Sequence, residues 1–209
     1  MSQLYISSHP LVQASLASLR DRRTGSGEFR RLVRGLGYLL AYEATVDLPT
    51  RGVDVETPMG TASCRVLTDR VGVVPILRAG LGMVDGVLDL LPEAQVWHVG
   101  MFRDEATLLP TEYYNKLPNP APITLALVID PMLATGGSAV RACRVALDAG
   151  VERVKFVALI AAPEGIERLA SAHPHVSIHV GAVDDRLNEI GFIIPGLGDA
   201  GDRQFGTGV

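Results

Sequence analysis

Thr124 to Ser138, T-L-A-L-V-I-D-P-M-L-A-T-G-G-S, opens with a run of five apolar residues, Leu125 to Ile129, that ends at a carboxylate, Asp130. Thr135, Gly136, Gly137 and Ser138 follow and lead into an amphipathic segment. The pattern reads as a buried strand, a loop, and a helix over Ser138–Ala149 with Gly150 as its C-cap. Small hydroxyl and glycine residues at the start of that helix leave backbone N–H groups and a positive dipole end for an anion, most often a phosphate. An acid just before such a cradle is suited to sugar hydroxyls, which need an acceptor. The combination points to a phosphorylated ribose.

Outward from this stretch, helix and strand signals alternate. Phe29, Leu32, Val33, Leu36 and Leu40 recur at helical spacing, with Arg30, Arg31 and Arg34 on other faces and Ser26 as the expected N-cap. Val53–Thr57, the turn Pro58-Met59-Gly60 and Thr61–Val66 read as a hairpin or β-arm. Val71–Leu77 is a buried strand, followed by a glycine-rich loop and a helix from about Gly82 to Leu91. Gln95–Met101 is a further strand. The stretch from Arg103 to Pro122 breaks the rhythm, with four prolines and two adjacent tyrosines. A loop of that length is usually functional or mobile. Val154–Ile160 (strand), Glu164–Ala172 (helix) and Ile178–Val183 (strand) precede an irregular, glycine-rich tail. Repeated β-loop-α units predict an α/β fold with a mostly parallel sheet, helices on both faces and ligands at the carboxyl ends of the strands. No repeat or interdomain linker is visible, so a single domain is expected.

Composition narrows the classes. At 209 residues the chain suits one domain able to bury most of its apolar surface. A net charge of −4 supplies no basic field for nucleic acid. Cys64 and Cys143 lack metal or redox spacing, which fits a reduced, cytoplasmic setting. The apolar runs fall far short of the ~20 residues that a membrane span needs, and Met1–Pro10 lacks the pattern of a signal peptide.

Three loops stand out, each after an expected strand. In Leu77-Arg78-Ala79-Gly80-Leu81-Gly82 the glycines let backbone approach a ligand while a guanidinium grips phosphate oxygens. Arg103 brings a second cation beside a potential lid. The cradle with Asp130 is the third. Two arginines and a cradle exceed the needs of one monophosphate and suit a ligand phosphorylated at two ends. In the tail, Gly196, Gly198 and Gly201 spell a literal G-x-G-x-x-G, but the chain ends eight residues later, without room for the β-α unit a dinucleotide fold requires. No G-x-x-x-x-G-K-S/T occurs. A bend-rich segment after a short apolar pair instead suits a pocket wall whose main-chain groups match a nucleobase edge.

On these residues the chain resembles the uracil phosphoribosyltransferases over nearly its whole length. The resemblance lies in R-D-R-R-T at Arg20, L-R-A-G-L-G-M at Leu77, M-F-R-D-E-A-T-L at Met101, E-Y-Y-N-K-L-P at Glu112, D-P-M-L-A-T-G-G-S at Asp130 and L-N-E-I-G-F-I-I-P-G-L-G-D-A-G-D-R-Q-F-G-T at Leu187. It implies a phosphoribosyltransferase-type fold with a β-arm region (about 1–68), a core (about 69–185) and a small C-terminal hood (about 186–209). It implies the reaction of uracil with phosphoribosyl pyrophosphate (PRPP) to give UMP and pyrophosphate, assisted by Mg²⁺, in a homo-oligomer. The wider superfamily often carries two adjacent acids in this loop. Here Pro131 follows Asp130, as in the uracil branch, so Mg²⁺ is expected mainly on substrate oxygens and water.

The roles implied are as follows. Asp130 holds the ribose hydroxyls, and Pro131, Met132, Leu133, Ala134, Thr135, Gly136, Gly137 and Ser138 form the PRPP loop. Arg78 and Arg103 neutralise the leaving pyrophosphate. Ile193, Gly198 and Ala200 read uracil through the backbone, with Asp199 toward PRPP, and Asp104–Pro122 closes over the reactants. Some family members respond to GTP, for which the cluster Arg20, Arg22 and Arg23 is the place to look. Taken singly, Arg78, Arg103 and Lys116 look like solvated cations, and Asp199 and Asp202 like turn formers beside glycine. His173-Pro174-His175 reads as a surface turn, Asp184-Asp185 as a strand-end charge pair, and the three arginines as a solvated run or a subunit contact. The joint order of the three loops overrides those readings. An RNA-binding regulator on a related fold is disfavoured by the acidic balance, and a catalytically dead nucleotide sensor by intact Arg78, Asp130 and Asp199. Orotate, guanine and hypoxanthine are the competing bases.

Overall fold

In the computed structural model the described residues are 3–103 and 110–207, with the side chains of 102–103 and 110–112 outside that description. A short edge strand, β1 (Leu4–Ile6), leads to a helix absent from the sequence reading, α1 (Pro10–Arg20). Proline opens α1 and His9 Nδ1 accepts the Leu11 N–H at 3.1 Å, which satisfies one orphan donor of the first turn. α2 (Ser26–Ala44) buries Phe29, Leu32, Val33, Leu36 and Leu40 on one face. Its N-cap is Gly25, and Ser26 is already helical. β2 (Thr50–Thr57) and β3 (Gly60–Leu67) form the expected hairpin as a separate two-stranded sheet.

The core follows with β4 (Val71–Leu77), α3 (Leu81–Leu90), β5 (Gln95–Val96), β6 (Val99–Arg103) and β7 (Pro110–Asn115). The single strand expected over Gln95–Met101 is split, because the Trp97 N–H turns to the Val73 carbonyl at 2.9 Å before β6 begins. Part of the expected loop 103–122 is a strand, since β7 pairs antiparallel with β6. Proline stands at its first position, where a missing N–H does least harm. Then come β8 (Leu125–Ile129), β9 (Met132–Leu133), α4 (Gly137–Asp148), β10 (Arg153–Ala161), α5 (Pro163–Ala172) and β11 (Ser177–Val183). The tail forms β12 (Arg186–Leu187), β13 (Ile193–Ile194) and a short helix, α6 (Ala200–Phe205), where an irregular segment was expected.

The main sheet runs β1-β11-β10-β8-β4-β6-β7, with β5 joined to β4 and β9 to β10. Every pair in it is parallel except β6–β7. Both faces are covered, so the central strands are apolar throughout. Leu125, Leu127 and Ile129 of β8 pack with α1, α2 and α3, whereas Ala126 and Val128 pack with α4 and α5. Among the described residues no helix is long and apolar enough to cross a membrane.

Candidate active site

β4 and β8 are neighbours, in register from Val71–Leu125 to Pro75–Ile129. From β4 the chain crosses to β6 on one side, and from β8 to β10 on the other. The crevice at their carboxyl ends is therefore the topological switch point, where open α/β sheets bind ligands. Arg78 follows β4 directly and Asp130 follows β8 directly, so the strand order brings two of the expected loops side by side. Arg103 ends β6, the next strand, which places its backbone at the same edge. Its side chain, and residues 104–109 of the expected closing loop, lie outside the described residues.

The cradle after β8 is held by main-chain bonds. The Pro131 carbonyl accepts the Leu159 and Ile160 N–H groups at 3.0 and 3.1 Å, and Leu133 accepts Ala162 at 2.9 Å. β9 thereby docks on the end of β10. Gly136 then reverses the chain into α4 with φ of 75°, and no side chain caps the helix. The first N–H groups of α4 are left to the loop cavity of about 120 Å³, lined by Asp130, Met132, Leu133, Ala134, Thr135, Gly136, Gly137, Ser138 and Ala139. A Cβ on Gly136 would lie 2.8 Å from the Gly165 carbonyl, and one on Gly165 2.3 Å from that of Ala134. Two glycines thus let the cradle sit flush on the first turn of α5.

A second cavity of about 230 Å³, lined by Met132, Ala134, Ile190, Gly191, Phe192, Ile193 and Asp199, abuts the first across Met132 and Ala134. Its outer wall is the hood formed by β12, β13 and the turn into α6. Asp199 caps α6, accepting the Asp202 N–H at 2.9 Å. Gly198 lines a cleft on the other side of Asp199 with Arg22 and Ser26, and Ala200 is fully buried as the first residue of α6. The Arg78 guanidinium reaches the same helix, with Nη2 3.4 Å from Asp202 Oδ1. The Gln204 amide donates to the Ala79 carbonyl at 2.8 Å and so ties α6 to the arginine loop.

Electrostatics single out Asp130. Burial at the floor of the crevice pushes its carboxyl up to about 7, the Met132 N–H opposes that shift, and the charge of Asp199 adds to it. Among the described residues no cation offsets the two carboxylates at Asp130, an arrangement that awaits hydroxyls or positive charge.

Asp130, residues 132–138, Ile193 and Asp199 thus meet around two abutting cavities, with Arg78 beside them, whereas Pro131 lines neither and anchors the loop to β10. Ile190 and Phe192 belong to the second cavity and were missed. Their signal was apolar character inside a glycine-rich segment, and both stay exposed at the cavity rim. His173 is a correction, because it is buried and its Nε2 lies 2.9 Å from the Val140 carbonyl at the end of α5. Asp184 and Arg20 are a second, since they bond each other in the interior at 2.5 Å rather than lying in water. The G-x-G-x-x-G of the tail is followed by a single short helix and, among the described residues, by no further strand.

Comparisons with known proteins converge on one family. The family described as uracil phosphoribosyltransferase matches residues 6–207. A uracil phosphoribosyltransferase of Roseiflexus sp. (strain RS-1) is 57% identical over 208 residues, covering 100% of both chains. One from Anoxybacillus flavithermus is 52% identical over 208 residues, covering 99% of this chain and 100% of that one. A solved structure of a protein from Aquifex aeolicus has a TM-score of 0.94 at 39% identity, covering 99% of this chain and 100% of that one. The chain belongs to the uracil phosphoribosyltransferase family, and its fold is of the phosphoribosyltransferase type.

Two outcomes follow from the geometry. A carboxyl raised in the folded state binds protons more tightly there than in the unfolded chain, so Asp130 lowers stability as pH rises from about 4 through about 7. Asp130→Asn should raise the Tm of the unliganded protein by roughly 2–4 °C at pH 8 and by less at pH 5. An equal or absent gain at both pH values in thermal melts would show that the carboxyl is not shifted. Gly136→Ala forces a side chain into the left-handed region and against Gly165, and should cost about 1–3 kcal/mol in urea unfolding.

Proposed function

We propose that this chain transfers the phosphoribosyl group of PRPP to uracil, giving UMP and pyrophosphate and so salvaging the pyrimidine base. The observation that carries the reading is the pair of abutting cavities, an anion cradle that contains Asp130 and a mostly apolar cleft under the hood that contains Asp199. The first N–H groups of α4 and the Ala134–Ser138 loop hold the 5-phosphate. Asp130, ionised once hydroxyl donors replace water, accepts from the ribose hydroxyls and fixes the ring over the crevice. Arg78 gives up its long contact with Asp202 for the pyrophosphate, and Arg103 approaches from β6. As the bond at the anomeric carbon lengthens, positive charge grows on the ribose and negative charge on the leaving group. The carboxylates of Asp130 and Asp199 favour the first and the guanidinium groups the second. Ile193, Gly198 and Ala200 present main-chain groups to uracil. Ala200 opens α6, so its N–H has no partner within the helix.

Mg²⁺ is proposed as part of the PRPP substrate. Among the described residues no three His, Cys, Asp or Glu side chains cluster to hold a metal, and Asp130 is followed by proline. The donor set fits an ion carried by substrate oxygens and water, where it would neutralise the leaving group. A homo-oligomer is supported by the β2–β3 arm, which exposes Val55, Met59 and Leu67 with no element of this chain over them. A GTP effector is proposed at the α1–α2 turn, where Arg22 is exposed and, among the described residues, joins no ion pair. A cytoplasmic setting accords with two free cysteines, one of them exposed.

Purified protein with PRPP, Mg²⁺ and uracil should release UMP and pyrophosphate. Turnover with orotate, guanine or hypoxanthine but not with uracil, followed by chromatography of the nucleotides, would overturn the assignment. Ala200→Pro deletes a single N–H at the helix position that tolerates proline best. It should raise the KM for uracil about tenfold or more, the worth of one lost hydrogen bond or slightly above it, and leave the KM for PRPP within about twofold.

A further inference from the structure

The R-D-R-R-T motif at Arg20 has no part in the reaction as described so far, yet one of its arginines reaches the base cleft at second hand. Arg20 ends α1, and Asp184 lies one residue beyond β11, at the same carboxyl edge of the sheet as the active site. Their contact is bidentate, with Arg20 Nη2 to Asp184 Oδ1 at 2.5 Å and Nη1 to Oδ2 at 2.7 Å. The Asp184 side chain is only 4% exposed. Both partners then engage one residue of the hood, through the two peptide units that flank its Cα. Asp184 Oδ2 accepts the Gly196 N–H at 2.9 Å, and Arg20 Nη1 donates to the Gly196 carbonyl at 2.8 Å.

Gly196 is the pivot of the base wall. It follows Ile194-Pro195 and carries φ of 65°, and a Cβ there would lie 2.1 Å from the Ile193 carbonyl. The turn is therefore folded directly back on Ile193, which lines the cleft. Neither Arg20 nor Asp184 lines that cavity, and neither can touch the base.

We propose that Arg20 and Asp184 are positioning residues for uracil, a part-buried ion pair that clamps both main-chain groups of Gly196 and so holds the Ile193–Ala200 backbone in its base-reading shape. Recognition by backbone has no rotamers with which to adapt, so a small displacement of the turn costs several hydrogen bonds together. The guanidinium suits this task because its planar fork can serve a carboxylate and a carbonyl at once. The PRPP cradle does not depend on the clamp. It hangs from β8, β10 and the first turn of α5, through Pro131, Leu133 and the Gly136–Gly165 contact. The two substrates should therefore respond differently when the clamp is loosened. The proposal rests on uracil lying in the hood cleft.

The test is steady-state kinetics on the full chain carrying Arg20→Ala, Arg20→Lys or Asp184→Asn, with Tm and the concentration of active sites measured alongside. Arg20→Ala and Asp184→Asn should each raise the KM for uracil about tenfold or more while the KM for PRPP stays within about twofold, one to two hydrogen bonds' worth of affinity. Arg20→Lys restores the charge but not the fork. It should recover Tm while the uracil KM stays several-fold high. A merely structural pair would instead lower Tm and the fraction of active protein, leave the uracil KM of the remaining enzyme unchanged, and be fully rescued by lysine. That result overturns the proposal. Where Arg20→Ala does not fold, the near-isosteric Asp184→Asn decides alone. Ala200→Pro separates the two readings. If it raises the uracil KM and the clamp variants do not, only the clamp is wrong. If it too leaves uracil binding untouched, the base is not read in the hood and both fall.

Discussion

The in-register pairing of β4 with β8 is the constraint on which the site depends. Because the chain leaves these strands in opposite directions, the loops at their carboxyl ends part and leave a crevice between them. Arg78 and Asp130 are each the first residue past a buried strand, so their spacing is set by a hydrogen-bonded ladder rather than by loop length. The ladder also explains why the loops can be built from glycine and small residues. A Cβ at Gly80 would lie 2.7 Å from the Ile129 carbonyl, so the arginine loop lies directly on the strand end that presents Asp130.

The electrostatics run against stability. Asp130 feels the charge of Asp199 in a partly desolvated crevice, and the Arg78 guanidinium turns to Asp202 at the long distance of 3.4 Å. Elsewhere the chain pairs its charges closely, as in Lys155 with Asp47 and Arg153 with Asp69. The strain at the crevice is relieved only by a ligand that supplies hydroxyl donors and a place for positive charge. Such local destabilisation is what a site complementary to a cation-like transition state requires.

Strands whose both faces are buried, such as Leu125–Ile129 and Val71–Leu77, were legible because burial leaves continuous apolar runs. The cradle was legible because its glycines and hydroxyls follow a strand in a fixed order. α1 was missed: its buried residues Val12, Leu16 and Leu19 are interspersed with Gln13, Ser15 and Ser18, and its opening proline resembles a breaker. β7 was hidden by prolines and by an antiparallel turn in a parallel pattern. α6 was hidden by glycine, since only its cap, Asp199, and its contacts with α2 make a helix of Ala-Gly-Asp-Arg-Gln-Phe. The pairing of Arg20 with Asp184, and the place of Ile190 and Phe192 in the cavity wall, were not legible. Their meaning lies in partners far along the chain, and no local period carries that information.

Such distance is itself informative about how the base wall is made. Arg203 donates to the carbonyls of Leu19, Asp21 and Leu197 at 2.6–2.7 Å and lies over the Phe29 ring at 4.5 Å, and Arg30 donates to the Gln204 carbonyl at 2.6 Å. Every one of these bonds except that to Leu197 joins the first thirty residues to the last fourteen, as Arg20 does for Gly196. In the proposed assignment the cradle and Asp130, which take PRPP, come from contiguous β-loop-α units in the middle of the chain. The uracil half needs the two ends brought together over a finished sheet, the contacts with the largest loop-closure cost and hence the latest to be rewarded. A wall built of main-chain groups can discriminate one base from another only if its turn is rigid. In this fold rigidity is supplied from the opposite end of the chain, by arginines that never meet the base.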